Sequence, residues 1–278
     1  MKKLLLSAFV ICLAGTSIAQ ESPLWMRHCA LSPDGTTIAF TYKGDIYTVP
    51  STGGRATQIT TNPAFDTEPV WSPDSKQIAF ASDRMGSLDV FVVSSEGGAP
   101  QRLTTHSGSE KPVAYKDNKH ILFTANIAPS AEDAGFPSGQ FQQVYEVAVT
   151  GGRPAMFSSM PMECISINKE GVMLYQDKKG YEDYWRKHQV SPIARDIWTY
   201  TPGKKPVYQK QTTFGGEDRE PVWSPDGKSF YYLSEEKGSF NIFQRTPGTT
   251  TSQQITFHTK HPVRFLSIST TGTLCYGY

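Results

Sequence analysis

A tight-turn signature that returns every 40 to 56 residues is the strongest constraint on this chain. Leu31-Ser32-Pro33-Asp34-Gly35 is followed by Ile38-Ala39-Phe40, Trp71-Ser72-Pro73-Asp74-Ser75 by Ile78-Ala79-Phe80, and Trp223-Ser224-Pro225-Asp226-Gly227 by Phe230-Tyr231-Tyr232. Weaker copies stand at Tyr115-Lys116-Asp117-Asn118, Asn168-Lys169-Glu170-Gly171 and Ser269-Thr270-Thr271-Gly272, six in all. Proline cannot donate to a strand ladder, and its fixed φ suits the second position of such a turn.

Around each turn the pattern predicts four short strands. In the second copy these run over 68–71, 77–82, 89–94 and 100–104, with β-branched and aromatic residues in the middle pair. Gly97-Gly98 separates the last two strands and recurs as Gly53-Gly54 and Gly151-Gly152, where positive φ is expected. No segment has sustained helical periodicity. Repeated four-stranded units of this length mark propeller blades. The expected fold is therefore all-β, a six-bladed β-propeller of four-stranded blades. The blades are drawn over roughly 23–61, 62–105, 106–159, 160–213, 214–258 and a partial 259–278. The last copy supplies only two strands. This predicts a sixth blade truncated at the C-terminus, an open ring with unpaired edges, and a natural chain that continues.

The N-terminus predicts export. Lys2 and Lys3 precede an apolar run over 4–13, and Ser17-Ile18-Ala19 offers small residues for cleavage after Ala19. The signal peptide is then 1–19 and the propeller domain 20–278, in the periplasm. The run is shorter than the roughly 20 apolar residues of a spanning helix, so no membrane insertion is expected after cleavage. A net charge of +1, without runs of Lys or Arg, argues against nucleic acid as a partner. Cys29, Cys164 and Cys275 have neither metal spacing nor a disulfide framework, and read as small buried hydrophobes.

If the first strand of each blade is innermost, aligning the turns places one residue pair per repeat at a channel mouth. The pairs are Arg27/His28, Thr67/Glu68, Glu110/Lys111, Glu163/Cys164, Arg219/Glu220 and Arg264/Phe265. These are either solvated strand ends or a polar gate that contacts a peptide or ligand. Two insertions, 126–142 and 177–195, fall on the same side, where loops commonly carry binding. The second holds Trp185, Arg186 and His188, then Arg195, Asp196 and Trp198. Aromatics beside Arg and His suit a peptide or a carboxylate; equally, Trp185 and Trp198 suit packing of the insertion, with Arg195 and Asp196 paired locally.

Catalytic signatures are missing. There is no G-x-S-x-G elbow, H-E-x-x-H helix, Walker loop or dinucleotide fingerprint, and the six histidines are scattered. No cofactor or metal is expected.

The repeats resemble those of TolB-like propellers and, more closely, the N-terminal six-bladed propeller of exported tricorn-type serine peptidases. The resemblance rests on Gly180-Tyr181-Glu182-Asp183, Trp185-Arg186-Lys187-His188, Ala194-Arg195-Asp196-Ile197-Trp198 and His261-Pro262-Val263-Arg264-Phe265-Leu266-Ser267. It implies a longer parent with a PDZ-like module and a serine peptidase core. Within that parent the propeller filters short peptides and supports assembly. No catalytic residue of the family has a match here. The implied partners are short peptides and downstream domains of the same polypeptide, with a homo-oligomer left open. A TolB-like module docking a cell-envelope protein or glycan is the rival, and a propeller joined to an α/β-hydrolase a third reading.

Overall fold

A computed structural model describes residues 25–127, 142–180 and 190–278. It is all-β, and its five four-stranded sheets are meanders whose sequential strands pair antiparallel. The first blade is β1 (Arg27–Leu31), β2 (Thr37–Tyr42), β3 (Asp45–Pro50) and β4 (Thr57–Gln58). The second is β5 (Asp66–Trp71), β6 (Gln77–Ser82), β7 (Asp89–Ser94) and β8 (Gln101–Arg102). The third is β9 (Lys111–Asp117), β10 (His120–Ala125), β11 (Gln143–Ala148) and β12 (Ala155–Ser158). The fourth is β13 (Met162–Ile167), β14 (Met173–Asp177), β15 (Ile197–Thr201) and β16 (Val207–Lys210). The fifth is β17 (Asp218–Trp223), β18 (Phe230–Ser234), β19 (Asn241–Arg245) and β20 (Ser252–Gln254). A separate two-stranded sheet follows, β21 (Arg264–Ile268) with β22 (Leu274–Gly277).

The propeller thus has five blades, which corrects the six expected from the turn repeat. The physical reason is what that turn reports. Ser-Pro-Asp-Gly folds only the hairpin of a first and second strand, so it counts inner hairpins and is blind to third and fourth strands. The sixth turn, at Ser269–Gly272, joins β21 to β22 and nothing else. Nor is the inner circuit open. The strands β1, β5, β9, β13, β17 and β21 touch in succession, and β21 touches both β17 and β1. Thr270 donates to the Pro33 carbonyl at 2.8 Å, and Leu31 N–H to Ser267 Oγ at 3.0 Å.

Each turn is built alike. The Ser72 hydroxyl donates to Asp74 at 2.7 Å and accepts from Gln77 N–H at 2.9 Å, while Ser75 N–H closes the turn onto the Ser72 carbonyl. The same bonds hold Ser32/Asp34 and Ser224/Asp226, and in each turn they hold the aspartate carboxyl below its usual range. The Gly97–Gly98 turn has both φ angles positive, as a tight hairpin needs.

Second strands are buried on both faces, which explains why their Ile-Ala-Phe runs lack polar alternation. Adjacent blades share apolar layers. One is Ile46, Ile59, Trp71, Ile78, Phe80 and Phe91 between the first two blades, and another is Leu174, Ile197, Trp223, Phe230 and Phe243 between the fourth and fifth. The turn tryptophans lock these layers: Trp71 donates to the Ala30 carbonyl at 2.9 Å and Trp223 to that of Val172 at 3.1 Å.

A second repeat marks the outer strands. Thr60, Thr104, Thr212 and Thr256 follow fourth strands and accept from the N–H groups of Ile46, Val90, Ile197 and Ile242 at 2.9 to 3.0 Å. Ser158 closes the fourth strand of the third blade. Thr60→Val removes the acceptor and leaves a buried N–H unpaired. It should cost about 1–3 kcal/mol in denaturant unfolding, with Thr60→Ser close to wild type.

Candidate functional site

The inner strands share one irregularity, close to their first residues. Pairing slips between Arg27 and Ala30 in β1, Thr67 and Val70 in β5, Glu163 and Ser166 in β13, Arg219 and Val222 in β17, and Arg264 and Ser267 in β21. In each bulge one residue other than glycine holds a positive φ: His28 at 50°, Glu68 at 56°, Cys164 at 51°, Glu220 at 49° and Phe265 at 57°. Each costs roughly 1 kcal/mol or more, and bulges of this kind re-aim side chains. Lys111, the counterpart in β9, sits in regular pairing one residue before that strand's own bulge.

These six residues stand at one level of successive inner strands, and several of them meet across blades. His28 Nδ1 lies 3.0 Å from Thr67 Oγ1 in the next blade, and its ring meets Phe265 edge-on at 5.0 Å. Lys111 Nζ pairs with Glu68 at 2.6 Å. Glu220 accepts from Leu266 N–H at 2.9 Å, and its own N–H donates to Gln176 Oε1 at 2.9 Å. Cys164 is solvent-exposed yet closely walled by protein, and desolvation with the charge of Glu220 raises its thiol well above the usual range. A raised pKa disfavours the thiolate. Burial lowers the His28 pKa, against the pull of Glu68, which leaves its imidazole neutral near pH 7.

The other expected mouth residues go elsewhere. Arg195 and Arg219 are buried: Arg195 binds Glu163 at 3.3 Å and Glu217 at 3.4 Å, while Arg219 binds Glu217 at 2.9 Å and covers Phe240. Asp196 pairs with Lys179 and Lys210 rather than with Arg195. Burial would raise the Glu163 carboxyl, but Lys178 and Arg195 outweigh it and lower its pKa. Arg27 lies over the Trp25 ring at 5.4 Å, and Arg264 is half-buried. Trp185, Arg186 and His188 lie outside the described residues. Trp198 donates to Asp177 at 2.9 Å and packs against its blade.

Glu110 faces away from the ring. It is 1% exposed, and burial beside Asp89, itself paired with Arg102 at 2.8 Å, raises its pKa to about 7. Asp218, buried near Thr212 and Ser234, is likewise pushed up to about 7.

The face on which the inner strands start carries exposed apolar side chains, which the sequence reading missed. Inner strands start at the face formed by interblade connections and second-to-third-strand loops. On that face stand the exposed side chains of Trp25, Phe65, Met85, Met160, Val190 and Phe257. The loops brace one another, as where Phe65 N–H donates to Asp83 at 2.7 Å. The opposite face is made of Ser-Pro-Asp and Gly-Gly turns. Among the described residues no group of three or more His, Cys, Asp or Glu could hold a metal, and no helix is long and apolar enough to cross a membrane.

The family model described as the tricorn protease N-terminal beta propeller domain matches residues 23–277. Tricorn protease homolog 1 of Streptomyces coelicolor is 39% identical over 213 residues, which is 76% of this chain and 19% of that relative. The uncharacterized protein Atu1656 of Agrobacterium fabrum is 34% identical over 218 residues, 73% of this chain and 68% of that protein. The crystal structure of the tricorn protease superposes with a TM-score of 0.72 at 17% identity, over 88% of this chain and 24% of that one. At that identity the likeness is one of fold. The chain spans about a fifth of the tricorn homologue.

A folded-state pKa near 7 for Glu110, against about 4.5 unfolded, means the native state holds the extra proton between those values. Stability should therefore fall as pH rises from about 4.5 to 7, by on the order of 2 kcal/mol from this group. Glu110→Gln should make that part of the profile less steep, leaving the slope that Asp218 contributes, measured by urea unfolding across pH.

Proposed function

Because the chain belongs to the family of tricorn protease N-terminal β-propeller domains, we propose that it is the non-catalytic propeller module of a tricorn-like serine peptidase, filtering or guiding short peptides and supporting assembly with the rest of the polypeptide. The observation that carries this reading is the bulged ring. Five strained residues and Lys111 stand at one level of the inner strands, and such strain persists where the surroundings enforce it. An ion pair, a neutral imidazole, a thiol and an aromatic edge make a mixed lining that an extended peptide can slide past without being gripped. The crown of exposed aromatics and methionines supplies sequence-tolerant apolar contact around the opening. The reading places the protein in the periplasm, on the strength of the export-like residues 1–19. Hydrolysis belongs to other parts of the parent, since no catalytic pattern is present in this sequence.

A second reading has one observation in its favour: the same crown suits docking onto a cell-envelope protein or glycan, as a TolB-like module would.

The test is peptide hydrolysis by the full-length parent carrying Lys111→Glu, or the compensating pair Glu68→Lys with Lys111→Glu. Short acidic fluorogenic peptides should lose several-fold in kcat/KM with the single charge reversal and recover in the pair. Labelling of the active serine by a small acylating reagent should stay unchanged. Equal kcat/KM for acidic and basic peptides in all forms would remove the ring from peptide handling and favour the docking module.

A further inference from the structure

The inner circuit closes at the seam between β1 and the β21–β22 sheet, and this seam differs from the others. The two-stranded sheet packs on the fifth blade through Leu233, Phe240, Ile242, Val263 and Leu266. On its other side, toward the first blade, no such buried apolar cluster is found among the described residues. Polar contacts stand there instead: Leu31 N–H to Ser267 Oγ, Thr270 N–H to the Pro33 carbonyl, and the Cys29 thiol to the Phe265 carbonyl at 3.6 Å.

Two half-buried thiols meet across this seam. Cys29 sits in the bulge of β1, between Arg27 and Ala30. Cys275 lies on β22 in register with Ser267, the residue that Leu31 N–H bonds. Although 246 positions separate them in the chain, the two cysteines lie on contacting strands, β1 and β22, close enough to interact. Cys164, on β13 in the fourth blade, has no part in this pair.

We propose that Cys29 and Cys275 are a disulfide-forming pair that locks β1 to β22 when the protein meets a small-molecule disulfide oxidant. The interaction between the two thiols lowers the pKa of Cys275 and, together with burial, raises that of Cys29. In this proposal Cys275 is the attacking sulfur. Its thiolate displaces one thiolate from the oxidant to give a mixed disulfide, and its proton goes to solvent. Cys29 then loses its proton and attacks the Cys275 sulfur, expelling the second thiolate. One oxidant disulfide is reduced to two thiols while two cysteine thiols become one protein disulfide. The link encloses nearly the whole ring, and a long closed loop is where a crosslink most restrains the unfolded chain.

The experiment incubates the full chain with oxidised glutathione, alkylates the remaining thiols, and maps peptides without reduction. A Cys29–Cys275 linked peptide is expected, with Cys164 fully alkylated. The midpoint of thermal unfolding should rise by roughly 5–15 °C and fall back on reduction. Cys275→Ser should abolish both the linked peptide and the shift. Alkylation of both cysteines after oxidation, or separate glutathione adducts without a link, would overturn the proposal. The mapping uses the wild-type chain, so a poorly folding variant leaves the outcome decisive.

Discussion

Face-to-face packing of neighbouring sheets is the interaction on which the rest of this molecule depends. A twisted four-stranded sheet with Ile, Phe and Tyr on both faces cannot bury either face alone. Phe80, Phe123 and Phe230, one on each of three second strands, are completely enclosed only because the adjoining blade covers them. Burying a side chain of that size contributes about 2–3 kcal/mol relative to exposure. Every blade thus draws its stability from its neighbours, and closure of the circuit matters to all of them. Where the apolar layer ends, at β1 against β21 and β22, hydrogen bonds and a pair of thiols take its place.

The same packing sets the mouth. Rigid sheets on all sides can hold His28, Glu68, Cys164, Glu220 and Phe265 in a backbone conformation that side chains rarely adopt. The strain is repeated at one level of five inner strands. Charge is balanced locally there, with Lys111 on Glu68 and the Leu266 N–H on Glu220. Deeper charges serve the framework: Arg195, Glu217 and Arg219 tie the fourth blade to the fifth and stay out of reach of a peptide.

Much of this was legible in the sequence, and the rest for physical reasons was not. The Ser-Pro-Asp turns gave the hairpins, and Ile-Ala-Phe gave the doubly buried strands. The number of blades was misread because the outer strands are short and exposed, as β4 and β8 are, and carry little apolar pattern. The threonines at 60, 104, 212 and 256, with Ser158, mark five fourth-strand ends and would have given the correct number. Aligning the turns picked out one residue pair per inner strand, and in five of the strands the positive-φ residue belongs to its pair. That alignment could not tell which member of each pair turns inward. Glu110 and Arg219 therefore proved to be buried beside their ring neighbours Lys111 and Glu220. Cys29 and Cys275 meet only through ring closure, which no local pattern records.

In the proposed function, peptides contact the bulged ends of the inner strands. Photo-crosslinking of a short peptide carrying a diazirine to the full-length protein, with the adducts mapped by mass spectrometry, tests it most directly. Labels are expected at His28, Glu68, Lys111, Cys164 and Phe265, with further label on the exposed apolar side chains of the same face. Labels confined to the outer strands, or to the opposite face of Ser-Pro-Asp turns, would contradict it.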